Sequence, residues 1–259
     1  MKENPILETN DVTINFNGLV AVDSVNFKIN EGESVGIIGP NGAGKTTFFN
    51  LLTGFFPPTK GKIFFYGRDI TDKPPHKRVM MGIIRTFQLV SVFDHLSVLD
   101  NLILSNIKSS GISYSIGRFF FSEAHKPALK KICLEALKIL GIEKKAEIMT
   151  SELSYGDKRK LEIAVALSMN PKILLLDEPF AGLSDQEIVE VSRIIKEFKK
   201  GFSMIIIEHK ISRIVELVER LCVMHEGRLI AEGIPDQVLC EPLVREVYWG
   251  KEDGLVCSV

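Results

Sequence analysis

The chain has 259 residues, 45% of them apolar and 25% charged, with a net charge of −1. That is an ordinary globular balance, long enough for one large domain with a subdomain. The charge gives no electrostatic footprint for nucleic acid, and no stretch approaches the roughly 18 consecutive apolar residues of a membrane span. Met1-Lys2-Glu3-Asn4-Pro5 lacks the basic segment and apolar run of a secretion signal. Cys133, Cys222, Cys240 and Cys257 are scattered without a C-x-x-C pair. They read as packing residues or free thiols of a reducing cytosol, not as metal ligands or disulfides.

In chain order, Val12 to Phe16 and Val25 to Ile29 read as short strands, and the apolar run Ser34 to Ile38 as a buried one. That run feeds Gly39-Pro40-Asn41-Gly42-Ala43-Gly44-Lys45-Thr46-Thr47, and Thr46 to Leu52, ending at Gly54, reads as the next helix. G-x-x-x-x-G-K-[ST] between a strand and a helix cradles phosphate. Its glycines let backbone N–H groups point inward, and the helix N-terminus favours anionic oxygens. Lys45 brings a point charge to the outer phosphates, and the Thr46 hydroxyl can ligate Mg²⁺. A nucleoside triphosphate is the ligand this stretch predicts.

Lys62 to Tyr66 follows the turn Pro57-Pro58-Thr59-Lys60-Gly61 as another strand. From about Ser97 to Met169 strand signals fade. Leu129, Cys133, Ala136 and Leu140 recur there at helical spacing, so a helical subdomain interrupts the sheet-forming sequence. Ile173 to Leu176 and Met204 to Ile207 are short, continuous apolar runs, the pattern of strands buried on both faces of a mostly parallel sheet. A strand pair around Glu226-Gly227-Arg228 and one or two small helices close the chain.

Asp177 at the end of a buried strand, in a chain with a phosphate loop, is placed to hold Mg²⁺. The adjacent Glu178 could orient or deprotonate a water. Leu153-Ser154-Tyr155-Gly156-Asp157 carries an N-cap box for a helix from Lys158 to Met169. The same segment, ahead of Asp177-Glu178, resembles the signature of ATP-binding cassette (ABC) ATPases. Gln88 then matches the Q-loop glutamine, Ala181-Gly182-Leu183-Ser184 the D-loop, and His209 the switch histidine. Phe16 falls where an aromatic ring stacks on adenine. The resemblance covers about Leu7 to Gly250. Gly82 to Gln88, the Leu-Ser-Tyr-Gly signature, Leu161 to Ala164 and Glu226 to Gly233 resemble the ATPase subunits of branched-chain amino-acid importers, as does the extra stretch from Gly111 to Lys126.

The resemblance implies an α/β P-loop NTPase fold. It has a mostly parallel core sheet, an N-terminal antiparallel β subdomain and an inserted helical subdomain at about 97–169, within one ATP-binding domain at 7–250 and ahead of a tail at 251–259. It implies a sandwich dimer with two ATP molecules at the interface. One face of each site is Lys45, Thr46, Asp177, Glu178, Gln88 and His209, and the other is Ser154 and Gly156 of a second ATPase chain, identical or related. Thr46, Asp177 and Gln88 would surround Mg²⁺, and Glu178 would be the general base. His209 would hold the γ-phosphate that Gln88 senses. The expected setting is the cytoplasmic face of the membrane, docked on separate permease subunits that a binding protein serves, with no nucleic acid. A urea or amide importer, a lipid or lipopolysaccharide exporter, and a soluble ATPase of translation or DNA repair are the alternatives. The translation type usually has two cassettes per chain. The repair type has a long coiled coil, for which no heptads occur here.

Tyr155 and Asp157 depart from the commonest signature, and Ser184 stands where many D-loops have aspartate. Asp157 near phosphate would be repulsive unless it turns away or caps the helix. His76, His95, His125 and His225 lack the clustering of a metal site. Lys144-Lys145 and Lys158-Arg159-Lys160 read as solvated helix faces, and Trp249 as packing for the C-terminal helices. Phe119-Phe120-Phe121 reads as the core of the insertion or as a patch for a partner helix.

Overall fold

The computed structural model describes residues 5–88, 90–109, 127–198 and 201–249. The expectations for Gly111 to Lys126, Phe119 to Phe121, His125, Cys257, the tail and the Trp249 side chain lie outside the described residues. Strands β1 (Leu7–Phe16), β2 (Leu19–Ile29), β4 (Lys60–Phe65) and β5 (Arg68–Asp69) form an antiparallel sheet in the order β2-β1-β4-β5. The second sheet runs β10-β9-β3-β8-β7-β6, from β3 (Ser34–Ile38), β6 (Ile83–Arg85), β7 (Ile173–Asp177), β8 (Ser203–Ile207), β9 (Arg220–His225) and β10 (Arg228–Gly233). Every pairing in it is parallel except the β9-β10 hairpin.

β3, β7 and β8 are buried at every position, as their unbroken apolar runs require. Successive side chains along a strand point to opposite faces, and the two faces meet different cores. Ile173 and Leu175 of β7 and Ile205 and Ile207 of β8 pack with Phe48, Phe49, Leu51 and Leu52 of the helix Lys45–Thr53 and with the antiparallel sheet. Leu174, Leu176, Met204 and Ile206 pack on the other side with the helices Val98–Ser109, Pro127–Ile139, Tyr155–Ser168 and Asp185–Phe198. The first three of those helices fall within the segment expected to be helical. Cys133, Ala136 and Leu140 face inward there, and Leu129 packs against their edge.

The helix Pro75–Met81 is absent from the sequence expectations. Pro75 occupies its first turn, where a missing N–H costs nothing. This helix delivers Arg78, fully buried, whose guanidinium donates to the Leu51 and Leu52 carbonyls at the C-terminal end of Lys45–Thr53. Burial pushes its pKa down to about 10. The cation bonds carbonyls of the helix's last turn and complements its dipole.

Two expectations need correction. Arg159 and Lys160 are buried, not solvated, because Arg159 bonds backbone carbonyls and Lys160 bonds Glu190. Cys133 and Cys222 are free, but Cys240 is disulfide-bonded. Sequence spacing carries no information on which thiols meet in space.

Candidate nucleotide site

The loop after β3 turns directly into the helix Lys45–Thr53. Gly44 has φ of 96°, and a Cβ there would lie 2.4 Å from the Ala21 carbonyl oxygen. Only glycine fits that left-handed, crowded position. Lys45 is 6% exposed, and its ammonium donates to the carbonyls of Gly39 at 2.7 Å and Pro40 at 3.0 Å. Burial lowers its pKa, with Glu178 and Asp177 working against that shift. A cleft of about 310 Å³ opens above the loop, lined by Ala21, Asn41, Gly42, Ala43, Gly44, Lys45, Thr46, Thr47, Gln88, Glu178 and His209. Thr46 is exposed at the helix start.

Two carboxylates reach this region from the end of β7. Asp177 is 1% exposed. Its Oδ2 accepts from Arg85 at 2.6 Å, while Oδ1 is buried without a partner. Glu178 has φ of 47°, a left-handed conformation uncommon for a residue with a side chain. Its N–H donates to Ile207 of β8 at 2.9 Å, and its carbonyl accepts from Arg159 at 2.6 Å. These bonds hold the turn that aims the side chain into the cleft. One Glu178 oxygen accepts from Gln88 Nε2 at 2.9 Å, and the other lies 2.9 Å from His209 Nε2.

Arg159 organises the floor behind them. Its guanidinium donates to the carbonyls of Phe87, Asp177, Glu178 and Pro179 and to Glu162 Oε2. Glu162 Oε1 in turn accepts the Phe87 N–H at 2.9 Å. Burial raises the Glu162 pKa, with Arg159 opposing it. One buried ion pair thus ties the helix Tyr155–Ser168 to the segments that carry Gln88 and Glu178. Neither Arg159 nor Arg85 was among the expected site residues. Arg85 stands three positions before Gln88, but nothing in its local sequence marks its partners.

Of the expected site residues, Phe16, Gly39, Pro40, Ser154, Gly156 and the buried Asp177 do not line the cleft. Phe16 is 41% exposed and meets Phe56 edge-to-face, with ring centroids 5.4 Å apart. Ser154 caps Tyr155–Ser168. Its Oγ accepts from the Asp157 N–H at 3.2 Å and donates to the Asp157 carboxylate at 3.0 Å. Asp157 also pairs with Lys145. Burial works to raise the Asp157 pKa, but Lys145 and Ser154 carry it below its ordinary value. Asp157 is therefore a neutralised capping residue. Gly156 lies against Glu187, since a Cβ there would fall 1.9 Å from Oε1. Glu187 in turn closes a reciprocal cap with Ser184.

A separate apolar groove of about 550 Å³ lies beside the site, with Phe55, Pro75, Val79, Met80, Arg85 and Phe87 among its walls. Among the described residues no group of three or more His, Cys, Asp or Glu could hold a metal by itself. A magnesium bound with nucleotide fits nonetheless. The orphaned Asp177 Oδ1 and the exposed Thr46 hydroxyl are hard oxygen donors, and Mg²⁺ on a nucleotide needs only one or two protein ligands.

Residues 22–181 match the family model described as ABC transporter. The chain is 35% identical over 252 residues to the high-affinity branched-chain amino acid transport ATP-binding protein BraF of Pseudomonas aeruginosa, covering 95% of this chain and 98% of that one. The crystal structure of a nucleotide-free ATP-binding cassette from an ABC transporter superposes with a TM-score of 0.83 at 33% identity, over 95% of this chain and 100% of that one. The dimeric post-hydrolysis structure of the cassette MJ0796 bound to ADP and Pi superposes with a TM-score of 0.75 at 25% identity, over 88% and 98% of the two chains. The phosphate loop, the paired carboxylates at the end of β7 and these matches agree, and the chain belongs to the ABC transporter ATP-binding family.

Proposed function

We propose that this chain is the ATP-hydrolysing subunit of an importer of branched-chain amino acids. The observation that carries the reading is the meeting of Lys45, Gln88, Glu178 and His209 around one cleft at a phosphate-loop helix. The near end-to-end match to BraF supports the substrate class. Residues 7–250 act as one ATP-binding domain, with the helical subdomain at 97–169.

Backbone amides of Gly39 to Thr47 and the Lys45 ammonium hold the β- and γ-phosphates, and Phe16 meets the adenine. Thr46 and Asp177, with Gln88, hold Mg²⁺, which neutralises charge on the phosphates when bound. Lys45 must leave the Gly39 and Pro40 carbonyls to reach the phosphate, and its burial makes that exchange favourable, since a phosphate is the stronger acceptor. Glu178 takes the proton of the attacking water. Its αL backbone holds it in place, and His209 orients it and contacts the γ-phosphate. Ser154 and Gly156 complete the site of a second ATPase chain, consistent with their absence from the lining of this chain's own cleft. The cassette MJ0796 is dimeric in its post-hydrolysis state with ADP and Pi. Whether the second chain is identical or a related ATPase, the geometry required of it is the same.

No helix among the described residues is long and apolar enough to cross a membrane. In the importer reading, energy passes to separate permease subunits by docking at the cytoplasmic face. The groove walled by Phe55, Met80 and Phe87 suits an apolar helix of such a partner, because Phe87 adjoins Gln88 of the cleft. The test is purification of tagged protein from membranes in mild detergent. Two integral membrane permeases and a second cassette chain are expected with it. Ribosomes, repair factors or no membrane protein would overturn the importer reading and leave the ATPase assignment standing.

A further inference from the structure

Arg85 is held on several sides. Nη2 donates to Asp177 Oδ2 at 2.6 Å and Nη1 to Asn50 Oδ1 at 2.7 Å. The guanidinium carbon lies 5.4 Å from the Phe49 ring centroid and 5.3 Å from that of Phe87. The Arg85 and Asp177 side chains are 5% and 1% exposed, so neither charge is solvated. A fold-stabilising arginine would be expected to use all its donors, yet Arg85 Nε is buried without a partner, as is Asp177 Oδ1. The pair leaves one carboxylate oxygen fixed by Arg85 and the other buried and unpaired.

We infer that Arg85 is the positioning residue of the magnesium site: it pins Oδ2 of Asp177 so that Oδ1 is presented to the metal. The inference rests on the metal role proposed for Asp177. Lysine cannot substitute fully, because one planar fork bridges Asp177 and Asn50 at once. Lys45 does not share the task, since its ammonium lies on the Gly39 and Pro40 carbonyls. The other side of Arg85 lines the apolar groove. A single side chain thus spans from the groove to the metal carboxylate.

The test is calorimetric ADP binding to the full chain, in EDTA and at graded Mg²⁺, for wild type, Arg85→Met, Arg85→Lys and Asp177→Asn. In EDTA, Arg85→Met binds ADP as wild type does, because the loop amides and Lys45 are intact. Its Mg²⁺ midpoint rises about 10- to 100-fold, the usual effect of losing a residue that orients a metal ligand. Arg85→Lys keeps the charge needed for folding but not the fork, and its midpoint rises by about threefold or more. It therefore decides the matter if Arg85→Met does not fold. Unchanged or tighter Mg²⁺ dependence in the arginine variants, with Asp177→Asn shifted, overturns the inference. No shift in Asp177→Asn overturns instead the metal role of Asp177 on which it rests.

Discussion

His209 Nε2 and Glu178 Oε1 lie 2.9 Å apart across 31 residues of sequence. The contact joins the ends of β7 and β8, adjacent parallel strands that pair residue by residue up to Asp177 and Ile207. Glu178 follows β7 at once and His209 stands two positions beyond β8, so the sheet register itself brings acid and histidine together. Gln88, beyond the end of β6, reaches the second Glu178 oxygen by the same logic. Three strand ends of one sheet supply three side chains to one cleft, as expected at the carboxyl edge of a parallel sheet.

Lys45→Ala removes the ammonium but leaves the loop amides. A hydrogen bond to a charged group is worth about 1.5–3 kcal/mol, so nucleotide affinity falls by about 10- to 100-fold. Calorimetric titration checks this, and unchanged affinity would contradict the phosphate-loop assignment.

Asp157, in the first turn of the helix Tyr155–Ser168, bonds the cap residue Ser154 and pairs with Lys145, which lies outside that helix. Its folded pKa is depressed, so its contribution is present above the unfolded value and is lost as pH falls through the folded one. At neutral pH Asp157→Asn costs up to about 1 kcal/mol, the range for a partly exposed pair. Urea midpoints of wild type and variant should differ at pH 7, and the gap should narrow as pH falls below the reference carboxylate value and through the lower folded one. A gap that persists in acid would mean that the charge is not what matters.

Met80 is 50% exposed on the groove wall. Met80→Glu should leave folding and ADP affinity unchanged, since surface substitutions away from special features cost little. It should abolish co-purification of the membrane subunits, because a charge would be buried against an apolar partner. Retention of those subunits would move the docking surface elsewhere on the chain.

The extent to which this architecture was readable follows from the range of the interactions. β7 and β8 are legible because burial on both faces writes a continuous apolar run, and the phosphate loop because all its parts are adjacent. The antiparallel strands are longer than expected. Asp11 adopts a left-handed φ of 49° at a register shift in β1, which interrupts the alternation that would mark Leu7 to Thr9 as the same strand. Arg159 was misread as solvated because its carbonyl partners at 177–179 are recruited by tertiary packing, which no local pattern encodes. Arg85, 92 residues from Asp177, was invisible for the same reason.

The most direct measurement is steady-state ATP hydrolysis against protein concentration, for wild type and Glu178→Gln, beside nucleotide affinity for both. The account predicts Mg²⁺-dependent turnover that rises faster than linearly with concentration, because a second chain completes each site. In Glu178→Gln affinity is kept and turnover falls by about 10²-fold or more, as loss of a general base requires. Near-normal turnover in the variant would remove Glu178 from that role, and turnover strictly proportional to concentration at all dilutions would contradict the shared site.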